Sequence, residues 1–322
     1  MKKIVPIVFI VLILTIIGVK FYQYKNPQKF EEITNSITID KVKKDSTTSN
    51  SSSISYKADI EVQTPVGGTL YGVIEVGASG FNSFVINADK DDNYEVIYKE
   101  FGESFAYEGF MTKEDVVTGL KKYLSTIFSK GVNGRNVHFV MSSGALKNPK
   151  TKLISQSIKD MGYVVNEVTA EQEGKYALKA LLPKNYRNNS FTVDIGSGNT
   201  KVSWYEGDKL RTIETFGSKY YQDGVSDTEV SKVLSDVLKQ VPNKVRENMF
   251  IIGGVPFKLA KETSNESRFI KLKKPSEYTA NDDAKLRSGL VIYDNIYEEL
   301  KPNQVVFDWD TNFTIGFLLT LN

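Results

Sequence analysis

The sequence predicts an α/β protein of two similar lobes, each with a mixed sheet and flanking helices. Three observations carry this. An acidic strand end, a glycine turn and a returning strand occur twice, at Glu75-Val-Gly-Ala-Ser-Gly80 and at Asp194-Ile-Gly-Ser-Gly-Asn199. Each unit opens a strand–strand–strand–helix series, so the order repeats after about 120 residues. Between them the polar run Pro183 to Asn189 breaks the pattern and marks a boundary. The expected organisation is a transmembrane anchor over 1–25, a flexible polar linker over 26–68, and lobes over 69–185 and 186–322. The final helix is free to pack back on the first lobe.

The amino-terminal end begins with Lys2 and Lys3, followed by the uncharged run Ile4 to Val19 and then Phe21, Tyr22 and Tyr24. With Lys20 snorkelling, this run is long enough to span a bilayer, with aromatics at the interface. No small-x-small site follows it, which favours an uncleaved anchor over a cleaved signal peptide. Lysines flank both ends, so the orientation stays open. Beyond it, the stretch centred on Asp45 to Ser53 cannot bury enough apolar surface to order itself.

From Tyr56 onward the pattern is globular. Tyr71 to Gly77 is a near-continuous apolar run, as in a strand buried on both faces. Phe81 to Asn87 alternates as a returning strand, and Tyr94 to Tyr98 supplies a third. Thr112 caps a helix with Asp115 placed for a capping box, and Val116, Val117, Leu120, Tyr123, Leu124 and Ile127 share one face. A strand over Val137 to Met141, a helix over Thr151 to Met161, a strand over Tyr163 to Val168 and a helix from Ala170 complete the first half. The second half reads as strands 191–195, 200–206 and 210–216, helix 226–240, strand 249–252 and a helix from about Pro256. A long helix over 281–299, a strand at Val305 to Phe307 and an apolar helix over Phe313 to Leu321 follow.

Composition narrows the chemistry. The chain has 322 residues, 40% hydrophobic and 25% charged, with a net charge of +2. That length suits two domains, and the small net charge offers no electrostatic surface for nucleic acid. There is no cysteine and a single histidine, His138, on a predicted strand where a structural role is expected. Disulfides, thiolate zinc sites and Cys nucleophiles are thereby excluded, and a Ser-His-Asp triad or a multi-His metal centre is not expected. Any hydrolysis must use carboxylates, backbone amides, hydroxyls and a bound metal. A glycine turn lets backbone approach a ligand, successive N–H groups form an anion nest, and a neighbouring carboxylate can hold a phosphate's divalent cation. A single such turn is equally an ordinary hairpin. Two of them facing across a cleft make a phosphate clamp.

In order along the chain, these motifs resemble those of the exopolyphosphatase/guanosine-pentaphosphate phosphohydrolase (Ppx/GppA) family of the actin-like superfamily. Glu75-Val-Gly-Ala-Ser-Gly-Phe81 is similar to the family's opening Asp-Leu-Gly-Ser-Asn-Ser-Phe. Lys99 to Gly109 fits its charged segment, and Met141-Ser-Ser-Gly-Ala-Leu-Lys147 its Thr-Ser-Ala-Leu-Arg-like strand end. Thr169-Ala-Glu-Gln-Glu-Gly174 resembles the helix start bearing the catalytic glutamate, and Asp194 to Lys201 resembles Asp-Ile-Gly-Gly-Gly-Ser-Thr-Glu. Phe216-Gly-Ser218, Ile252-Gly-Gly-Val255, Asp282-Asp-Ala, Gly289 and Asn312-Phe-Thr-Ile-Gly-Phe317 complete a set over roughly residues 70–320.

The resemblance implies two actin-like (ribonuclease H-like) lobes with mixed five-stranded sheets around an interlobe cleft. It implies Glu173 as general base, Mg2+ on Asp194 and Glu75, and nucleoside contacts at Gly253 and Gly254. Phosphate would lie on Gly77, Ala78, Ser79, Gly80, Gly196, Ser197, Gly198, Asn199, Thr200 and Lys147. The implied activity is hydrolysis of terminal phosphoanhydrides of polyphosphate or guanosine pentaphosphate. Expected partners are polyphosphate or a guanine or adenine nucleotide and, through the N-terminal helix, a membrane; a homodimer is allowed. Four positions depart from the family pattern: Glu75 for Asp, Ser197 for the middle glycine, Lys147 for Arg, and Lys201 for an acid. A cation at Lys201 can stabilise phosphate charge but repels Mg2+. A catalytically weak sensor or scaffold, and an actin-like ATPase adaptor, therefore stand as alternatives.

Overall fold

Strand β1 (Thr69–Val76) is the apolar run of the first half, and it lies at the centre of a five-stranded sheet. It pairs antiparallel with β2 (Phe81–Ala88) and parallel with β4 (Val137–Met141). β3 (Tyr94–Phe101) extends one edge and β5 (Val165–Glu167) the other, giving the order β3-β2-β1-β4-β5. The second half repeats this plan. β6 (Ser190–Ile195) pairs antiparallel with β7 (Asn199–Glu206) and parallel with β9 (Asn248–Gly253). β8 (Lys209–Phe216) and β11 (Gln304–Asp308) flank them. The computed structural model describes residues 56–77, 80–102, 112–263 and 267–322. The predicted anchor and most of the linker lie outside these residues, and no described helix is long and apolar enough to cross a membrane.

Two expectations are corrected. The second sheet has six strands, because β10 (Phe269–Lys271) adds antiparallel to β11. Three residues beside a lysine-rich stretch give too short an alternation to read as a strand. The expected linker also ends early. Lys57 bridges to Ile270, the Ala58 amide donates to the Phe269 carbonyl at 3.1 Å, and Ala58 is buried. An unpaired sheet edge offers backbone groups that a passing segment can satisfy, and this one does.

The helices divide the core into three. On the outer face of the first sheet, α1 (Lys113–Ser129) and α2 (Thr151–Asp160) bury Leu120, Ile127 and Ile154 against Ile74, Phe81 and Phe139. The Thr112–Asp115 capping box forms as the sequence predicts. On the outer face of the second sheet, α4 (Asp227–Leu238), α5 (Gly254–Lys261) and α6 (Ala284–Leu300) pack over Val193, Val202 and Met249. The third core lies between the inner faces, where α3 (Ala170–Leu181) and α7 (Phe313–Leu318) meet Val73, Phe84, Phe250 and Val306.

The two helices at this junction cross over. α3 follows β5, yet it packs over β6, β7 and β8; α7 ends the chain and packs on α3 and β1. Gly174 permits the close approach of α3, since a Cβ there would come within 2.2 Å of Thr212 Oγ1. The first half therefore delivers a helix start, with its acids, to the second sheet. His138 is half-buried between the Tyr71 and Phe317 rings, the structural place expected for it.

Candidate functional site

Strand alternation sorts the side chains at the two glycine turns. Val73 and Glu75 point to the inner face of the first sheet while Ile74 and Val76 enter its outer core. In the second sheet Asp194 and Lys201 are in direct cross-strand register and face inward. These faces, the start of α3 and the start of α5 enclose a cavity of about 340 Å3, within the size range of small-ligand sites. Of the residues implied by the resemblance, Glu75, Gly77, Gly80, Glu173, Asp194, Gly196, Ser197, Gly198, Asn199, Gly253 and Gly254 all line it. Ala78 and Ser79 lie outside the described residues.

The two turns match atom for atom in their closure. The Gly77 amide donates to the Gly80 carbonyl at 2.8 Å, and the Gly196 amide donates to the Asn199 carbonyl at 3.0 Å. Both amides thus close their own turns rather than serving as free members of an anion nest. The acid lies two residues before each of these amides, and its register partner lies seven residues after the acid: Asn82 for Glu75, Lys201 for Asp194.

Two expected contacts fail for reasons of direction. Thr200 falls on the opposite face of β7 from Lys201, alongside Val202 and Trp204 in the outer core, and its hydroxyl is buried without a hydrogen-bond partner. Lys147 ends the short turn Ala145–Lys147 that follows β4; Ala145 enters the core, and Lys147 is exposed and lines no part of the cavity. Gly253 has φ of +113°, and a Cβ on it would lie 2.3 Å from the Ile195 carbonyl oxygen. Its glycine identity is thus required by the β6–β9 approach, whatever lies in the cavity.

Glu173 sits in the first turn of α3, which Thr169 and Gln172 cap reciprocally. It is 1% exposed, and one of its carboxylate oxygens accepts from the Ser143 amide just after β4. Its other oxygen pairs with the Lys201 ammonium, which also lies 3.7 Å from Asp194. Lys201, 4% exposed, therefore bridges the two acids that the resemblance makes base and metal ligand. Burial opposes its charge, but Asp194, Glu173 and Glu75 together hold the ammonium above the usual lysine value. Asp194 is the looser arm; burial lifts its carboxyl above the ordinary aspartate range in spite of Lys201.

Among the described residues Glu75 makes no ion pair, unlike Glu173 and Asp194. Its Oε2 accepts from Asn82 Nδ2 at 2.8 Å and from Asn312 Nδ2 at 3.1 Å. Burial dominates these bonds and pushes its carboxyl up to about 7. Asn312 also caps α7, accepting from the Thr314 amide through Oδ1, so one side chain ties the last helix to the first glycine turn.

This donor set does not suit Mg2+, which asks for a near-octahedral shell of oxygens. An ammonium lies between two of the three carboxylates, and amide N–H groups cover one oxygen of the third. Among the described residues no three carboxylates or imidazoles converge as a metal-binding group. The cavity's remaining walls escaped the sequence reading. Lys285 lines it near Gly254, its ammonium disfavoured by burial and by nearby Lys219. Phe101, Phe257 and Trp309 form an aromatic side with ring centroids 5.3 Å apart in each successive pair. Only the seven-residue spacing from each acid could have flagged Asn82; Lys285 and the aromatics carry no local signal.

No protein-family model matches the sequence, and no curated protein is significantly similar to it. Solved structures are similar across most of the chain. The type II variant of the Ppx/GppA phosphatase from Aquifex aeolicus aligns with 78% of this chain and 99% of its own, at 17% identity and a TM-score of 0.56. An exopolyphosphatase-like protein aligns with 79% of this chain and 98% of its own, at 11% identity and a TM-score of 0.58. An exopolyphosphatase from Cytophaga hutchinsonii aligns with 79% and 97%, at 14% identity and a TM-score of 0.52. The fold is the one these solved phosphatase structures share, an α/β arrangement of two mixed sheets with flanking helices.

Proposed function

We propose that this chain binds the terminal phosphates of polyphosphate or of a nucleotide in the cavity between its sheets, and turns them over slowly or not at all. The single observation behind this reading is the Lys201 bridge. A general base must be free to hold an attacking water and take its proton, and Glu173 instead spends its two oxygens on Lys201 and the Ser143 amide. The cationic groups that remain for an anionic ligand are Lys201 itself and Lys285. Such a protein is a receptor on a phosphatase fold.

A hydrolytic reading has its own support in the fold and in Glu173 reaching the cavity from the start of α3. Phosphate release from polyphosphate and guanosine pentaphosphate, measured beside ligand binding, separates the two. The receptor reading expects binding with background release, and a gain in Mg2+-dependent release in Lys201→Glu. Wild-type turnover that disappears in Glu173→Gln would establish the enzyme instead. Residues 1–25 are proposed as a membrane anchor, on the strength of the Ile4 to Val19 run. Protease protection on intact cells, which reports the side of the membrane carrying residues 56–322, is the direct check.

A further inference from the structure

We infer that the Lys201 ammonium stands in the place of a divalent cation, so that the cavity takes its anionic ligand without metal. Its ligand half rests on the phosphate-binding reading above; the metal half does not. Three features of the geometry support it. First, the ammonium is fixed. Lys201 lies on β7 between β6 and β8, directly across from Asp194, and its side chain is 5% exposed while that of Glu173 is 2% exposed. Surface ion pairs of long side chains swing and are screened, whereas this one is buried and held at both ends.

Second, its partners are those a metal would need. A divalent ion placed between Glu173 and Asp194 would have to expel the ammonium from two carboxylates at once. The expelled chain would have to pass into a cavity already carrying Lys285. Third, the matching position of the other turn holds Asn82, whose amide occupies Glu75 without adding charge. The cation is therefore built into one turn only, beside the acid that would otherwise be the ligand's metal anchor. Lys201 nevertheless lines the cavity, so a ligand bound there lies beside the residue whose ammonium bridges the acids. A charge-assisted contact of this kind supplies to a phosphate what a cation would supply.

The test uses the full chain and two probes read separately: Mn2+ alone, followed by paramagnetic resonance, and tripolyphosphate, followed by calorimetry in EDTA and in Mg2+. Wild-type protein is expected to show no saturable Mn2+ site and the same tripolyphosphate affinity, within about twofold, in both buffers. Lys201→Gln is expected to lose roughly tenfold or more in affinity in EDTA and to recover part of it with Mg2+. Lys201→Arg, which keeps the charge, is expected to remain independent of metal, and it serves if the Gln variant does not fold. A saturable wild-type Mn2+ site that vanishes in Asp194→Asn overturns the inference. So does a wild-type tripolyphosphate affinity that falls about tenfold on removing Mg2+. Failure of tripolyphosphate to bind in either buffer overturns the phosphate-binding reading, and the Mn2+ titration then decides the place of Lys201 by itself.

Discussion

In the first glycine turn the residue across from the acid is Asn82; in the second it is Lys201. The two turns share register, closure and spacing, and both acids face one cavity. Their electrostatics differ. Glu75 is buried among neutral amides and keeps its proton up to about 7. Glu173, buried, and Asp194, partly buried, lie beside a fixed cation. The comparison teaches that a repeated strand pairing can be given different chemistry by one cross-strand position, while the amide–carbonyl bond that closes each turn stays the same.

The largest way to break the comparison is to remove the cation. Lys201→Met leaves Glu173 buried, and Asp194 partly buried, without a counter-charge, and breaking a buried pair such as Lys201–Glu173 from one side costs about 3–5 kcal/mol. Urea unfolding should report that loss, and a loss near zero would show that the pair contributes nothing to holding the sheets and α3 together.

The first turn predicts a pH dependence of similar size and definite sign. Glu75 titrates at 4.5 in the unfolded chain and at about 7 in the fold, so the native state holds the extra proton between those values. The stability contributed by that proton is complete below pH 4.5 and is lost as pH rises through about 7, in total about 3 kcal/mol at 1.36 kcal/mol per unit. Unfolding free energies across this window should fall with pH, and Glu75→Gln should flatten the trend. Asn82→Lys, which copies the second turn into the first, should flatten it as well by drawing the Glu75 carboxyl down.

A smaller effect is expected from Asn312→Ala. It removes the cap of α7 and one donor to Glu75, at a cost of about 1–2 kcal/mol. The same change should raise the titration midpoint of Glu75, which NMR of the carboxyl carbon can follow. The smallest expected change is at Thr200. Because its hydroxyl is buried on the outer face with no partner, Thr200→Val should leave stability unchanged or raise it by up to about 1 kcal/mol. Tripolyphosphate binding should not change; a weakened ligand would place Thr200 back in the site.

Much of the molecule was legible from local pattern. The alternation over Phe81 to Asn87, the apolar run through Val73 and Val76, and the Thr112–Asp115 box all depend on neighbours in sequence, and each forms as read. The duplicated acid–glycine turns were visible for the same reason, and they do line one cavity with Glu173. Lys201 stood out as a cation where an acid was expected. Its partners did not, because the bridge joins β7 to a helix twenty-eight residues earlier in the chain.

What the sequence determined by itself is most of the elements (the three-residue β10 excepted), the repeat and the identity of the charges, since periodicity, capping and turn chemistry act over a few residues. The tertiary structure alone decided which charges meet. Only the packing of α3 on the second sheet, through the bare Cα of Gly174, brings Glu173 to Lys201. Only the return of α7 to β1 brings Asn312 to Glu75. Strand parity then turned Thr200 outward and the turn after β4 left Lys147 in solvent, because a side chain's direction depends on the sheet that receives it. Burial finished the assignment, since a carboxylate's charge state follows from what surrounds it, and those surroundings come from distant parts of the chain.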